Sequence, residues 1–284
     1  VVAAATPAAG QAAVYSVEGL PALSVAPGLA EGNLINAPAV SSAIRSALGQ
    51  VSPRVRSVTV VVPDSAVRVF VLDFDTLPSR LDEALPVLRF RLRKSVPFDV
   101  ETAGISYQVL SEGSARLETQ WKVLAAVMPG PVLAEYESAV RGAGYEPGVV
   151  MPAGLAVLAA LSTTDSQEAV LAVNLSAQSL TTVIVLGNDI LLYRTVELPQ
   201  DADEQQGEVQ RAIAVAAAFY EDKLQLRPHR ILYSGVLSVQ DFVLMLDDAE
   251  LAVGEVVSRP ETGMASSIGQ HSVAGVTGAL VGTN

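Results

Sequence analysis

The side chains best able to do chemistry in this chain are carboxylates and arginines, because other reactive groups are scarce. There is no cysteine, and histidine occurs twice, at His229 and His271. Thiolate metal sites, cysteine nucleophiles and disulfides are therefore excluded, and a multi-histidine metal centre is disfavoured. Asp73 and Asp75 fall on one side of a strand end, the arrangement that paired-carboxylate acid–base chemistry would require. They stand beside a Leu-Pro break with no histidine or further acid, so solvated turn residues are the simpler reading. Four carboxylates between Asp201 and Glu208 could surround a cation, but they read more simply as an exposed loop entering a helix N-terminus, where negative charge is favoured. Gly275, Gly278 and Gly282 lack the spacing of a phosphate-binding fingerprint and read as the close-packing face of a small-residue helix. His229 follows Pro228 and reads as a turn residue. The chain contains neither a Walker A motif nor a Gly-x-Ser-x-Gly elbow.

Positive charge collects in one place. Arg89, Arg91, Arg93 and Lys94 close a helical stretch that runs into Ser-Val-Pro-Phe, with Pro97 and Phe98 at its end. Cations at a helix C-terminus are favoured by the helix dipole, so a solvated helix end accounts for them. Arg89 and Arg93 lie four apart and share a face, so a basic docking patch stays open as the alternative.

The elements that must position these groups follow from composition and period. Of the 284 residues half are hydrophobic and 17% are charged, enough apolar material for a packed core. The net charge of −12 argues against nucleic acid as a partner, since that surface must be basic. The longest apolar run, Gly148 to Leu161, is shorter than the roughly 20 residues a membrane span takes and contains Pro152. No secretory signal pattern opens the chain, so the expectation is a soluble cytoplasmic α/β protein. It begins Val-Val-Ala-Ala-Ala without methionine, and native residues are expected to precede Val1.

Ala37 to Leu48 reads as a helix with Pro38 in its first turn. Ser57 to Val62 and Ala66 to Phe74 read as strands joined by the hairpin-like Pro63-Asp64-Ser65, the second apolar on both faces and so buried on both sides. Leu81, Leu85, Leu88 and Leu92 make a helical stripe over 79–94, with Ser79 as its N-cap. Strands over 105–110 and 121–127 and a helix over 132–142 complete a ββαββα unit. Beyond it a strand over 148–151 and a helix over 153–161 lead to strands over 169–175, 180–186 and 190–197. A long helix over 204–226, a strand over 230–235, a helix over 238–246, a strand over 252–257 and a helix over 272–280 follow. That βββ-α-β-α-β-α succession is what an actin-like or ribonuclease-H-like half shows.

The ordered set "VTVVVPDSAVRVFVLDFDTLP", "LRFRLRKSVPFDVETAGISYQVL" and "WKVLAAVMPGPVLAEYESAVRGAGYEPGVV", followed by "AVNLSAQSLTTVIVLGNDILLYRTVELP" and "ILYSGVLS", resembles the PilM family of actin-like type IV pilus assembly proteins. The resemblance covers roughly residues 10–284 and is strongest over 57–150. It implies a two-lobed actin-like fold: a first-lobe core from 1–56 and 146–165, an inserted interaction subdomain over 57–145 resembling that of FtsA, and a second lobe over 166–284. It also implies a non-enzymatic adaptor, cytoplasmic and peripheral at the inner membrane. Such an adaptor holds the cytoplasmic N-terminal tail of a bitopic PilN-like partner in a groove beside the insertion, with Arg89, Arg93, Pro97 and Phe98 as candidate contacts. Other pilus platform proteins are possible partners.

Three positions depart from an actin-like nucleotide site. The second phosphate hairpin has Asn174-Leu175-Ser176 where Asp-x-Gly is usual, which substitutes a neutral and poorer magnesium ligand and removes a flexible glycine. One glycine, Gly235, remains in the adenosine turn, and the first phosphate hairpin would lie before or at residue 1. The segment after Leu198 is also short for a nucleotide-covering subdomain. The expectation is a degenerate site with no cofactor, catalytic residue or metal. The alternatives are an ATP–magnesium switch in the same machinery and the cytoplasmic domain of a type II secretion platform protein.

Overall fold

A computed structural model of the chain describes residues 1–8, 11–51, 54–111, 120–161, 169–187, 189–228, 230–246, 251–256 and 273–281. The second half follows its sequence pattern closely. Strands β8 (Ala169–Leu175), β9 (Ser179–Leu186), β10 (Asp189–Glu197), β11 (Arg230–Gly235) and β12 (Ala252–Glu255) form one sheet in the order β10-β9-β8-β11-β12. Strand β9 runs antiparallel to both neighbours, while β8, β11 and β12 are parallel. This is the ribonuclease-H-like arrangement that the succession of elements predicts. Helix α5 (Ala202–Leu224) lays Val209, Ala212, Ile213, Ala216 and Tyr220 into the core over this sheet. The link from β10 is residues 198–201, and Asp201 ends it as an N-cap, accepting from the amides of Asp203 and Glu204. The acidic run thus caps a helix and favours its positive end.

The first lobe holds β1 (Val2–Ala8) paired with β2 (Gln11–Glu18), helix α1 (Ala37–Val51), and β3 (Ser57–Val62) paired in parallel with β7 (Glu146–Pro152). Between β3 and β7 is the insertion. Its sheet has the order β4-β6-β5, built from β4 (Arg68–Phe74), β5 (Gly104–Ser111) and β6 (Trp121–Met128), all antiparallel, with helices α2 (Leu81–Leu92) and α3 (Gly130–Gly142). The hairpin expected between β3 and β4 does not form. Pro63 to Ser65 instead leads through one 3-10 turn, Asp64–Ala66, from the first-lobe sheet into the insertion, because β3 finds its partner in β7 and β4 in β6. Both faces of β4 are covered as expected: Phe70 and Leu72 pack toward α2, while Val69 and Val71 pack against the second lobe.

Helix α2 differs in detail from its stripe. It buries Ala84, Leu88 and Leu92, while Leu81 is 60% exposed. Its N-cap is Arg80 without a side-chain bond, so Ser79 does not cap it. A full turn of apolar spacing fits either neighbouring face. The face that meets Val123, Ala125 and Val127 of β6 wins, since each fully buried leucine contributes about 1.5–3 kcal/mol.

The lobes and insertion meet along one seam. Helix α4 (Ala153–Leu161) and helix α7 (Ala274–Val281) pack backbone to backbone: a Cβ on Gly278 would fall on the carbonyl oxygen of Ala156 and 3.1 Å from the amide nitrogen of Ala160. This bears out the packing reading of Gly278; Gly282 lies outside the described residues. Helix α7 also ties β2 to β3, through Tyr15 Oη 2.9 Å from Thr277 Oγ1 and Gly275 against Val61. At the centre of the seam is Asp64, 4% exposed. Its Oδ1 accepts from the Gly154 amide at 2.7 Å and Tyr193 Oη at 3.3 Å, and its Oδ2 from Asn174 Nδ2 and Thr181 Oγ1, both at 2.9 Å. Burial raises the Asp64 carboxyl above its ordinary value, and the four donors pull partly the other way. The same burial, together with the Asp64 charge, raises the Tyr193 phenol.

Two outcomes follow from this seam. Gly278→Leu drives a side chain into the α4 backbone, and a loss of several kcal/mol is expected as a fall in denaturant midpoint, as overpacking requires. A carboxyl whose pKa is raised on folding stabilises fully below its unfolded value, and that contribution is lost as pH rises through the folded pKa. Denaturant midpoints of the wild type should therefore fall relative to Asp64→Asn as pH climbs from about 3.8, by at most about 1.4 kcal/mol per pH unit.

Candidate functional site

The three positions at which an actin-like chain would meet nucleotide do come together. Asn174 and Leu175 end β8, Ser176 opens the turn to β9, and Gly235 ends β11 in register with Leu175. Several donors of this turn are already engaged. Ser176 Oγ accepts from the amides of Gln178 and Ser179 at 3.2 and 2.9 Å, and the Ser176 amide donates to the Ser179 carbonyl at 2.8 Å. On the outside of the turn, Gln205 and Leu198 donate to the carbonyls of Ala177 and Gln178. A turn binds anions through unengaged N–H groups, and here the serine side chain has folded back to satisfy two of them, those of Gln178 and Ser179.

The other two positions are equally engaged. The Asn174 side chain donates to Asp64. At Gly235 an added Cβ would stand 2.7 Å from the Leu175 carbonyl oxygen, so the turn is closed against the hairpin. Among the described residues no cluster of three or more histidine, cysteine or acidic side chains could hold a metal. Asp73 and Asp75 are exposed, with Asp75 accepting from Gln120 at 2.9 Å. His229 and His271 lie outside the described residues.

Asp64 is the residue that the sequence reading missed. It sits in "VVVPDSAV", where Pro-Asp-Ser carries every mark of an ordinary solvated turn. The signal that could have found it is the absence of polar relief on either side: a turn between two strands this apolar has little solvent near it.

A concavity lies elsewhere, between α1 and α3 at the junction of the first lobe with the insertion. It is a groove of about 650 Å³ lined by Leu34, Ala37, Pro38 and Ser41 on one wall and by Pro131, Ala134 and Ser138 on the other. Its width is set at both ends. At one, Glu135 of α3 accepts from the Gly32 and Leu34 amides at 2.7 and 3.0 Å, holding a loop that Asn33 shapes by bonds to Gly28 and Ala30. Gly32 sits at φ +91°, a conformation that favours glycine. At the other, Arg45 of α1 donates to the Gly142 and Ala143 carbonyls that end α3, at 2.6 and 3.1 Å. Small apolar walls with few polar groups suit an extended aliphatic peptide.

The basic residues at the end of α2 are placed one layer away from this groove. Arg89 folds inward and donates to the carbonyls of Val100, Glu101 and Ala103, while Arg93 pairs with Glu101 at 2.5 Å on the surface. Pro97 is exposed, and Phe98 packs with Leu92 and Val100. The 99–104 turn that Arg89 holds abuts α3, with Gly104 against Leu133 and Gly130 against Thr102. The helix end therefore supports the Pro131 end of the groove.

No protein-family model matches the chain, and no curated protein does. Solved structures do. The chain is similar to a structure described as a PilM-PilN type IV pilus biogenesis complex, with 19% identity, 99% of this chain and 95% of that chain covered, and a TM-score of 0.74. A protein with an actin-like ATPase fold and unknown function from Bacteroides thetaiotaomicron matches at 8% identity over 80% of this chain and 72% of its own, with a TM-score of 0.47. The cytoplasmic domain of EpsL, an inner-membrane component of the type II secretion system of Vibrio cholerae, matches at 15% identity over 76% of each chain, with a TM-score of 0.46. Only the first likeness is strong enough to argue from, and at its identity it speaks for architecture. The chain has the two-lobed actin-like fold in its PilM-like form.

Proposed function

We propose that this protein is a non-enzymatic adaptor of type IV pilus assembly, which binds the cytoplasmic tail of a PilN-like inner-membrane partner in the groove between α1 and α3. The observation that carries this reading is the groove itself, open, apolar and rigidly framed, in a fold shared along 99% of the chain with a structure described as a PilM-PilN complex. The hairpin supports it from the other direction, because the amides of Ser176, Gln178 and Ser179 and the Asn174 side chain are already engaged within the protein. No helix among the described residues is long and apolar enough to cross a membrane, which fits a protein held at the membrane by its partner. An extended tail would order on binding, setting small apolar side chains against Pro38, Ala134 and Pro131. Arg89 would act indirectly, by holding the turn that supports the Pro131 end of the groove, and Arg93, Pro97 and Phe98, one layer away, would form a second candidate contact surface.

Titration of a fluorescent peptide with the sequence of the partner's cytoplasmic tail tests this directly. Saturable binding at one site per chain is expected. Ala134→Arg fills the groove from an exposed position, and it should weaken binding at least about tenfold while leaving stability within about 0.5 kcal/mol. Binding that ignores Ala134→Arg but is lost with Arg93→Glu would move the site to the basic helix end. Calorimetry with magnesium-ATP should show no saturable heat; one site per chain would instead make the protein a nucleotide-dependent switch.

A further inference from the structure

The strongest observation that the adaptor reading leaves unused is the buried carboxylate at the seam. Asp64 enters from the junction of β3 with the insertion. Its four donors come from elsewhere: Gly154 at the start of α4, and Asn174, Thr181 and Tyr193 on β8, β9 and β10 of the second lobe. Three consecutive strands of one lobe thus converge on a single side chain of the other body. Thr181 Oγ1 lies a further 2.9 Å from Thr195 Oγ1, extending the network along β10. Around it the contact is apolar, with Val69 and Val71 of β4 packed on Ala172, Val183 and Tyr193. Arg68 of β4 reaches Glu197 at 2.9 Å at the rim. Gly154 is required at the centre, since a Cβ there would fall on Tyr193 Oη and 3.2 Å from Asp64 Oδ1.

We propose that Asp64 is a latch that fixes one arrangement of the two lobes and the insertion, and that Asn174 has become part of this latch. Apolar faces alone tolerate sliding, because the hydrophobic effect is non-directional. A buried carboxylate with four convergent donors does not, because any other arrangement leaves a charge and its donors unpaired away from water. Asn174 supplies a donor where an aspartate would set a second carboxylate 2.9 Å from the first. The residue that makes the hairpin a poor metal ligand is thus the residue that the latch requires. The proposal does not rest on the groove having an occupant.

The test uses the absence of native cysteine. Spin labels placed at Ser42→Cys on α1 and Ala218→Cys on α5, both exposed, report the distance between lobes. Wild type should give one narrow distance distribution. Asn174→Asp, measured at alkaline pH so that the two carboxyls cannot share a proton, should broaden or displace it, and the exchanged pair Asp64→Asn/Asn174→Asp should return it to the wild-type distance. Should Asn174→Asp alone fail to fold, Thr181→Val/Tyr193→Phe removes two of the four donors without adding charge and should broaden the distribution on its own. A distribution unchanged in Asn174→Asp, or in Thr181→Val/Tyr193→Phe, would overturn the latch. So would failure of the exchanged pair to restore the distance. Peptide binding measured on the same proteins reports separately on the groove.

Discussion

A carboxylate with no cation beside it, held in an apolar seam by four hydrogen-bond donors, is the constraint on which this architecture turns. Removing a carboxylate from water costs several kcal/mol, and a protein retains one there only when its surroundings are arranged around it. At Asp64 that arrangement draws on α4, β8, β9 and β10 together. Burial raises the Asp64 carboxyl above its ordinary value, so its ionisation costs rather than contributes folding energy. What the carboxylate supplies is uniqueness of docking between two bodies that would otherwise meet through valine and leucine.

The rest of the seam obeys the same demand for close approach. Helices α4 and α7 touch through Gly278 and Ala156 with no side chain between them, so the middle layer is thin and the lobes sit close enough for one aspartate to reach three strands. Within the second lobe, the turn after β8 meets Gly235 and the α5 N-terminus, and several of its polar groups bond to Ser176, Leu198 and Gln205. The open surface is left at the far side of the first lobe. There Glu135 and Arg45 hold α1 and α3 apart with charge-assisted bonds to backbone, and the space between is lined with small side chains.

Much of the fold was legible from pattern, and the failures have specific causes. The second-lobe succession could be read because each strand is rich in apolar and β-branched residues and α5 carries an amphipathic stripe from Val209 to Tyr220 with an acidic start. The hairpin between β3 and β4 was misread because Pro63-Asp64-Ser65 is good turn chemistry, and turn chemistry does not say whether the strands on either side pair with each other. In α2, residues 81, 85, 88 and 92 look equivalent along the chain, yet only the face meeting β6 is covered, and Leu81 is left in water. The candidate site was legible in part. Asn174, Ser176 and Gly235 stood out by departing from a pattern and do lie together. The groove could not be read at all, because alanine, proline and serine on two helices 90 residues apart carry no local mark.

By itself the sequence determined the α/β class, the order of the elements, the absence of thiol chemistry, and the neutral residue at position 174. These follow from local period and composition, which act over a few residues and need no knowledge of what packs where. Only the tertiary structure decided which strands pair across the insertion, which face of α2 is buried, and where the concave surface lies. It alone also decided that an aspartate in an ordinary-looking turn becomes the most buried charge at the seam. Those outcomes depend on contacts between separate segments, 90 to 129 residues apart in the bonds of Asp64 to Gly154, Asn174 and Tyr193, and the energy of such a contact resides in the pair, so neither partner displays it in its own stretch of chain.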